Sequence, residues 1–550
     1  MNKCIPVRIK KVSFPGEKRG THTTQSPFQK EAVMTGAEII LKTAAQAGVE
    51  ICFANPGTTE LSLVAALDSP HRIRPVLGLF EGVCTGAADG YGRIREKPAM
   101  TLLHLGPGLA NGIANLHNAR RARTPVLNVV GEHTTWIQPH DPPLNMDISM
   151  LAQTVPGWQK KSMAAGELSA DTAEAVCASL CGQVSTLIVP ADIQSASVGT
   201  VEIINKPFSF NPVDEEMIPH AVSMIKEASR PALILGGKTL RRKGLQAAAQ
   251  IKAKSGCELI MMTFPSLFEA GASLPVLKRV PYFPGEAQKL LKHYDAFILV
   301  GTNEPTAFFG YAEGIISFLP PKAPRLRLDT NMQDAAEVLC ELSAYLGPQA
   351  GAGELQPVLA RLDVPPLPSG GLNAASMCTA IAALQPENCI VVEEGISSGA
   401  FYYTYSPYLK PYRHLTLTGG SIGIGMPLAL GAALAEPGTQ VINIQADGSA
   451  MYTLQALWTQ AREKTKVITV ICANRKYFTI ELESLRAGHQ SLGDGAKSLM
   501  NLTDPAPDWV SLSKGMGVAA VRTDTAESFV QAFSRALQEP GPFLIEAILE

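Results

Sequence analysis

Two residues in the C-terminal third have types and spacing that suit a hard metal ion: Asp447, in Asp447-Gly448-Ser449, and Asn474, one helix and one strand further on. The apolar run 441–446 leads into Asp447, and the run 467–472 leads into Ala473-Asn474, with an amphipathic helix expected over 452–463. A right-handed strand-helix-strand crossover sets the carboxyl ends of two parallel strands on one sheet edge, so the two side chains meet there. A carboxylate and an amide carbonyl are oxygen donors that magnesium accepts, with phosphate oxygens and water completing its octahedron. Gly448 allows close backbone approach, and the N–H groups that open the next helix can face a diphosphate. Turns after strands also use Asp, Gly and Asn freely, so the pair needs support from elsewhere.

That support lies near the other end of the chain. Leu79-Phe80-Glu81-Gly82 runs into Gly86-Ala87-Ala88-Asp89-Gly90-Tyr91-Gly92, which puts Glu81 at the end of an apolar strand and before a small-residue helix. A structural role there would be modest, since an acid at a helix N-terminus stabilises it by about 0.3–1 kcal/mol. His104, in Leu103-His104-Leu105-Gly106-Pro107-Gly108, ends another strand; an imidazole so placed can relay protons near neutral pH or simply cap a loop.

The elements that must position these groups alternate. Apolar runs at 51–54, 76–80, 100–104 and 126–130, then 232–235 and 296–300, then 390–392, 441–444, 467–472 and 543–547 are separated by helical patterns. Such alternation predicts an α/β fold of three doubly wound parallel-sheet domains, over 34–204, 215–345 and 372–550, with a linker rich in Pro, Gly and Ala at 346–371. Residues 1–33 hold seven Lys or Arg against two Glu and lack the apolar core of a secretory signal; they are expected to be disordered, with Met34 an alternative start.

Composition excludes several classes. Hydrophobic residues make up 46% and charged residues 17%, with no apolar run that could cross a bilayer. The formal net charge is −2 and the basic residues form no stripe, so nucleic acid is not an expected partner. Ten cysteines without a CxxC pair suggest neither zinc ribbon nor disulfide framework and point to the cytoplasm; Cys177 and Cys181, four apart on a helix, read as buried hydrophobes.

Taken together, Ala446-Asp447-Gly448 with Ala473-Asn474, the Glu81 to Asp89-Gly90-Tyr91 spacing, Asn55-Pro56-Gly57-Thr58-Thr59-Glu60, the His104 segment and Gly419-Gly420-Ser421-Ile422-Gly423 resemble the thiamine diphosphate enzymes in their order along the chain. The acetolactate synthase-like and benzoylformate decarboxylase-like group is the nearest in wording. The resemblance implies a pyrimidine-binding domain, a central Rossmann-like domain and a diphosphate-binding domain. It also implies thiamine diphosphate and Mg2+, the latter held by Asp447, Asn474 and the backbone carbonyl of Lys476. Glu81 would activate the aminopyrimidine, and Ile422 would wedge the coenzyme into its bent form. Glu394, Gly395, Ile396, Ser397, Gly420, Gly448, Ser449, Tyr477 and Phe478 become candidate coenzyme contacts. Thr58, His104, Leu144 in the loop His140-Asp141-Pro142-Pro143-Leu144, Thr479 and Ile480 become the candidate substrate pocket.

The activity so implied is decarboxylation of a 2-oxo acid, the resulting enamine passing to a second carbonyl or to a proton, in a homodimer or homotetramer whose active sites lie between subunits. Departures are informative. Phe80 and Gly82 stand where acetolactate synthases carry His and Gln, no paired histidine of the pyruvate decarboxylase kind occurs, and the second histidine of the benzoylformate type falls near Val280 and is missing. A non-catalytic coenzyme-binding relative is disfavoured by the retained Glu81, Asp447 and Asn474. A nicotinamide dehydrogenase is disfavoured because no GxGxxG follows the first strand. FAD at the glycine turns Gly236-Gly237 and Gly301 is the weaker reading of the middle domain.

Overall fold

A computed structural model describes residues 33–550 other than 71, 200, 312, 313 and 490. The expectation of disorder at the N-terminus lies outside the described residues, Val33 apart. The chain forms three large sheets, all of whose strand pairs but one are parallel. The first orders its strands Arg74–Leu77, Ile51–Ala54, Ala99–His104, Val126–Glu132, Val184–Pro190 and Gln159–Lys161. The middle one orders Lys278–Arg279, Glu258–Met261, Pro231–Leu235, Ala296–Val300 and Arg325–Arg327. The third orders Leu267–Ala270, Tyr412–Thr416, Ile390–Glu394, Val441–Ala446, Val467–Ala473, Phe543–Ile548 and Ala519–Thr523.

In each sheet the earliest strand of the parallel set sends the chain first to one side and then to the other. The reversals lie between Ile51–Ala54 and Ala99–His104, between Pro231–Leu235 and Ala296–Val300, and between Ile390–Glu394 and Val441–Ala446. Ligands of open α/β sheets bind in the crevice at such a reversal, outside the carboxyl ends of the strands. Both halves of the chemistry read from sequence therefore sit at switch points.

The first and third sheets are joined through two helices rich in small residues, Glu81–Arg95 and Gly425–Ala435. A Cβ added to Gly90 would overlap the carbonyl of Leu428, and one added to Gly431 would overlap the carbonyl of Ala87. Both helices are buried almost throughout. Arg93 ties the same joint electrostatically: its guanidinium pairs with Asp89 at both nitrogens (2.8 and 2.5 Å) and donates to the Thr416 carbonyl at 2.7 Å and the Ser266 carbonyl at 3.1 Å. Asp89-Gly90-Tyr91 thus serves assembly, with Tyr91 Oη donating to Glu50 at 3.0 Å.

The middle segment has its own five-stranded sheet and also lends a strand, Leu267–Ala270, which pairs antiparallel with Tyr412–Thr416 and forms an edge of the third sheet. The connecting residues 346–371 are tied down along the way: Ala360 exchanges backbone bonds with Ser273 and Leu274, and Asp363 N donates to the Tyr408 carbonyl at 2.8 Å. Two element boundaries differ from expectation. Strand Arg74–Leu77 stops before Glu81, which instead opens helix Glu81–Arg95. After Asp447 the chain makes a short helical turn, Asp447–Ala450, and the longer helix starts only at Ala456.

Candidate active site

At the first switch point Glu81 is 7% exposed and its carboxylate receives two amide donors: Asn55 Nδ2 at 3.1 Å on Oε1 and Asn111 Nδ2 at 3.0 Å on Oε2. The carboxylate is thus held by two asparagine amides rather than by an apolar pocket alone. His104 stands across the same crevice. A Cβ placed on Gly108 would lie 3.5 Å from both Glu81 Oε1 and His104 Cβ, so Gly108 borders both the carboxylate and the root of the His104 side chain. His104 Nδ1 lies 2.9 Å from Glu60 Oε2 and 3.1 Å from Thr59 Oγ1. Glu60 is fully buried, and its Oε2 also accepts from Gly57 N at 2.9 Å. Thr58 is exposed on the same loop, and Leu144 is 52% exposed with φ 71.

The third switch point collects the metal-type residues. Asp447, 2% exposed, accepts from Gly448 N at 2.8 Å and from Arg475 N at 2.7 Å, while Asn474 Oδ1 accepts from Lys476 N at 3.2 Å. Asp447 is therefore bonded to the turn that carries Asn474, as the crossover argument requires. Burial raises the Asp447 carboxyl above its usual range, opposed by those two N–H groups. Hard oxygens from one carboxylate and one amide, half-satisfied by backbone donors, fit a magnesium ion. On the loop that precedes helix Gly425–Ala435, Gly420, at φ 77, borders open space with nothing near an added Cβ, and Ile422 packs half-buried on the core. Gly448 is needed by Tyr477, whose ring a Cβ there would overlap. Phe478, Thr479 and Ile480 begin the helix Phe478–Arg486, none of them buried, with Lys476 Nζ 4.7 Å above the Phe478 ring.

Two candidate contacts have other partners. Glu394 is 1% exposed, and its carboxylate accepts from the backbone N–H groups of Gly423 and Gly425, both at 2.5 Å, and from Gln445 Nε2 at 2.9 Å. Its burial raises the carboxyl, and these donors oppose the rise. Glu394 thus fixes the turn into helix Gly425–Ala435 instead of facing outward. Ser449 is likewise turned in: Gln445 donates to its Oγ at 2.6 Å, and the hydroxyl donates to the Ala446 carbonyl at 3.1 Å. Gly395, Ile396 and Ser397 form the loop beyond, where Ile396 N donates to Glu393 Oε1 at 2.8 Å.

A backbone pattern recurs at these edges. Leu105 after His104, Ile396 after Glu394 and Arg475 after Asn474 have φ of 53, 50 and 56, a left-handed conformation uncommon outside glycine. Such strain persists only where the surroundings over-determine it, and it gathers at functional loops. Sequence reasoning did not single out Asn111, Gln445 or the special place of Glu60. Asn111 lies seven positions after His104, two helical turns into the following helix, and that spacing was the available signal.

In the middle crevice the glycine loops press on each other: a Cβ on Gly301 would overlap the Gly236 carbonyl, Asp329 accepts from Gly301 N at 2.8 Å, and Lys238 pairs with Asp334 at 3.0 Å. Among the described residues no group of three or more His, Cys, Asp or Glu could hold a metal ion, and no helix is long and apolar enough to cross a membrane.

A three-sheet α/β chain with a carboxylate-amide edge on one sheet and a carboxylate-imidazole edge on another is built as an enzyme of the two-part coenzyme-site kind. The chain belongs to the thiamine pyrophosphate enzyme family: residues 34–151 match its N-terminal TPP binding domain and residues 397–547 its C-terminal TPP binding domain. It is 41% identical over 519 residues, 94% of this chain and 99% of the other, to a Mycobacterium tuberculosis protein named "Putative acetolactate synthase large subunit IlvX". It is 26% identical over 526 residues, 91% of this chain and 96% of the other, to benzoylformate decarboxylase of Pseudomonas aeruginosa. Among solved structures, the Rhodococcus jostii RHA1 thiamine diphosphate-dependent 4-hydroxybenzoylformate decarboxylase matches in fold with a TM-score of 0.82 and 23% identity, covering 94% of this chain and 99% of that one. The chain is thus a thiamine diphosphate-dependent enzyme related to acetolactate synthase and benzoylformate decarboxylase.

Proposed function

We propose that the protein is a thiamine diphosphate- and Mg2+-dependent 2-oxo acid decarboxylase that ends its cycle on a proton and releases an aldehyde. The observation that carries this reading is the placing of Glu81 and His104 beside Gly108. When bound, thiamine diphosphate supplies a nucleophilic thiazolium carbon and an electron sink for the loss of CO2.

The residues of the chain do the rest. Asp447, Asn474 and the Lys476 carbonyl would hold Mg2+; Gly395, Ile396, Ser397, Gly420, Gly448, Tyr477 and Phe478 would line the coenzyme, and Ile422 would pack against it. Glu81, steadied by Asn55 and Asn111, would be the group that hydrogen-bonds the aminopyrimidine and holds a proton there. His104 holds the proton that meets the substrate, while Thr58, Leu144, Thr479 and Ile480 surround the substituent. Large apolar side chains exposed at both edges support a homodimer or larger oligomer joining the edge of one copy to that of another: Leu79 43%, Trp136 68% and Leu144 52% at one, Met451 43%, Tyr452 54% and Ile480 53% at the other. Residues 34–204, 215–345 and 372–550 are read as the three domains, and the absence of disulfides among the described cysteines suits a cytoplasmic setting.

Carboligation, with a second carbonyl in place of the proton, is the second reading, and the 41% identical relative favours it by name. A panel of 2-oxo acids incubated with and without an acceptor aldehyde, read by mass spectrometry, separates the two. Aldehyde release without acceptor supports the first, hydroxyketone or hydroxy acid formation the second, and no CO2 from any member overturns both.

A further inference from the structure

We propose that Glu60 is the positioning residue for His104, fixing the proton on Nδ1 and so presenting Nε2 to the substrate. The inference rests on the decarboxylase reading and deepens it by naming what aims the free nitrogen of His104 for proton transfer. Glu60 is fully buried, so its carboxylate has no water to satisfy it. Its Oε2 takes the Gly57 N–H at 2.9 Å and faces His104 Nδ1 at 2.9 Å, while its Oε1 accepts from the Thr59 hydroxyl. A carboxylate only accepts, so the nitrogen facing it must carry hydrogen. The second ring nitrogen is then the one left for chemistry, since among the described residues Nε2 has no hydrogen-bond partner and the side chain is 22% exposed.

The surroundings are shaped for this pair. A Cβ on Gly57 would overlap the His104 ring, and a Cβ on Gly131 would overlap the Glu60 carboxylate, so two glycines from different elements leave room for it. Glu60 is two residues beyond Thr58 and belongs to the 3-10 turn Thr58–Glu60, which ties it to the substrate-side loop. The logic is that of a buried acid orienting a catalytic imidazole and fixing its tautomer. In the overall step Nε2 takes up a proton from solvent while Nδ1 keeps its own, the carboxylate of the 2-oxo acid leaves as CO2, and the carbon it leaves gains the Nε2 proton, which returns His104 to its Nδ1–H form. A 2-oxo acid anion and one solvent proton thus give an aldehyde and CO2.

The test uses the coenzyme-loaded protein with pyruvate and 2-oxo-2-phenylacetate as probes. Nitrogen NMR of the imidazoles, with the His104 signal assigned by its loss in His104→Gln, is expected to show the Nδ1–H form in the wild type. Glu60→Ala is expected to lose that preference and to slow aldehyde release by about 100-fold, with KM changed by less than about threefold. Glu60→Gln keeps a carbonyl acceptor and is expected to retain the tautomer and most of the rate. A His104 found as the Nε2–H form in the wild type overturns the proposal even if Glu60→Ala fails to fold. Unchanged tautomer and aldehyde yield in Glu60→Ala, with CO2 release intact, overturn the role of Glu60 alone, whereas a wild type that releases no CO2 overturns the functional reading beneath it.

Discussion

Asn111 Nδ2 reaches back across two helical turns to hydrogen-bond Glu81 Oε2 at 3.0 Å, linking the helix that follows His104 to the carboxylate that opens the helix before it. The two residues come from separate crossovers of the first sheet. Their contact makes the orientation of Glu81 depend on both.

Removing that donor is expected to matter for turnover more than for folding. Hydrogen bonds to charged groups contribute about 1.5–3 kcal/mol, so Asn111→Ala should lower CO2 release by roughly tenfold or more, with Asn111→Asp no better because it cannot donate. Glu81→Ala should abolish release while titration calorimetry still registers coenzyme binding. Unchanged turnover in both variants would remove Glu81 from the chemistry.

Asp447→Ala and Asn474→Ala each delete an oxygen from the proposed magnesium site. Equilibrium dialysis is expected to show loss of Mg2+ and, with it, of thiamine diphosphate. Retention of both in Asp447→Ala would refute the site.

Arg93 and Asp89 are 1% and 0% exposed in their side chains. Deleting one partner of a buried pair leaves the other charge uncompensated, at a cost of about 3–5 kcal/mol. Arg93→Ala should therefore lower the thermal midpoint steeply, and Arg93→Lys should recover little, since a lysine cannot reach two carbonyls and the carboxylate together. Gly431→Ala tests the same joint sterically and is expected to cost about 1–3 kcal/mol by overpacking on the Ala87 carbonyl. Scanning calorimetry reads both.

Glu393 gives a pH signature. Burial pushes its carboxyl up to about 7 from 4.5, opposed by Arg279, by the Ile396 N–H and by Tyr403, while neighbouring Glu394 adds to the rise. A folded carboxyl raised above its unfolded value contributes stability that is complete below pH 4.5 and lost as pH rises through about 7. Glu393→Gln should flatten that part of the denaturation profile, by on the order of 3 kcal/mol. A wild-type profile already flat there would contradict the assignment.

How much of this was legible follows from what kind of contact carries each feature. Apolar runs such as Ala296–Val300 and Val467–Ala473 announce themselves, because a buried parallel strand needs continuous hydrophobicity, and a crossover fixes which ends share an edge. The meeting of Asp447 with the Asn474 turn followed from that rule alone. Glu394 was harder: on paper it is an acid at a strand end, and only the folded chain reveals three backbone N–H groups of residues 423–425 waiting for it. Asn111 and Glu60 belong to the same category, polar residues whose partners lie a whole crossover away. Strand Leu267–Ala270 escaped notice because joining the third sheet is a tertiary choice; nothing local distinguishes it from a loop.

That strand also changes how the molecule should come apart. Its residues leave the middle sheet's territory, run antiparallel along Tyr412–Thr416 and return, so the two regions share a seam of backbone hydrogen bonds rather than a surface. The middle segment can therefore be neither cut out as a cassette nor melted on its own without peeling an edge from the sheet that bears Asp447. It is stitched in, and the stitch also covers an edge that would otherwise be open to strands of other chains.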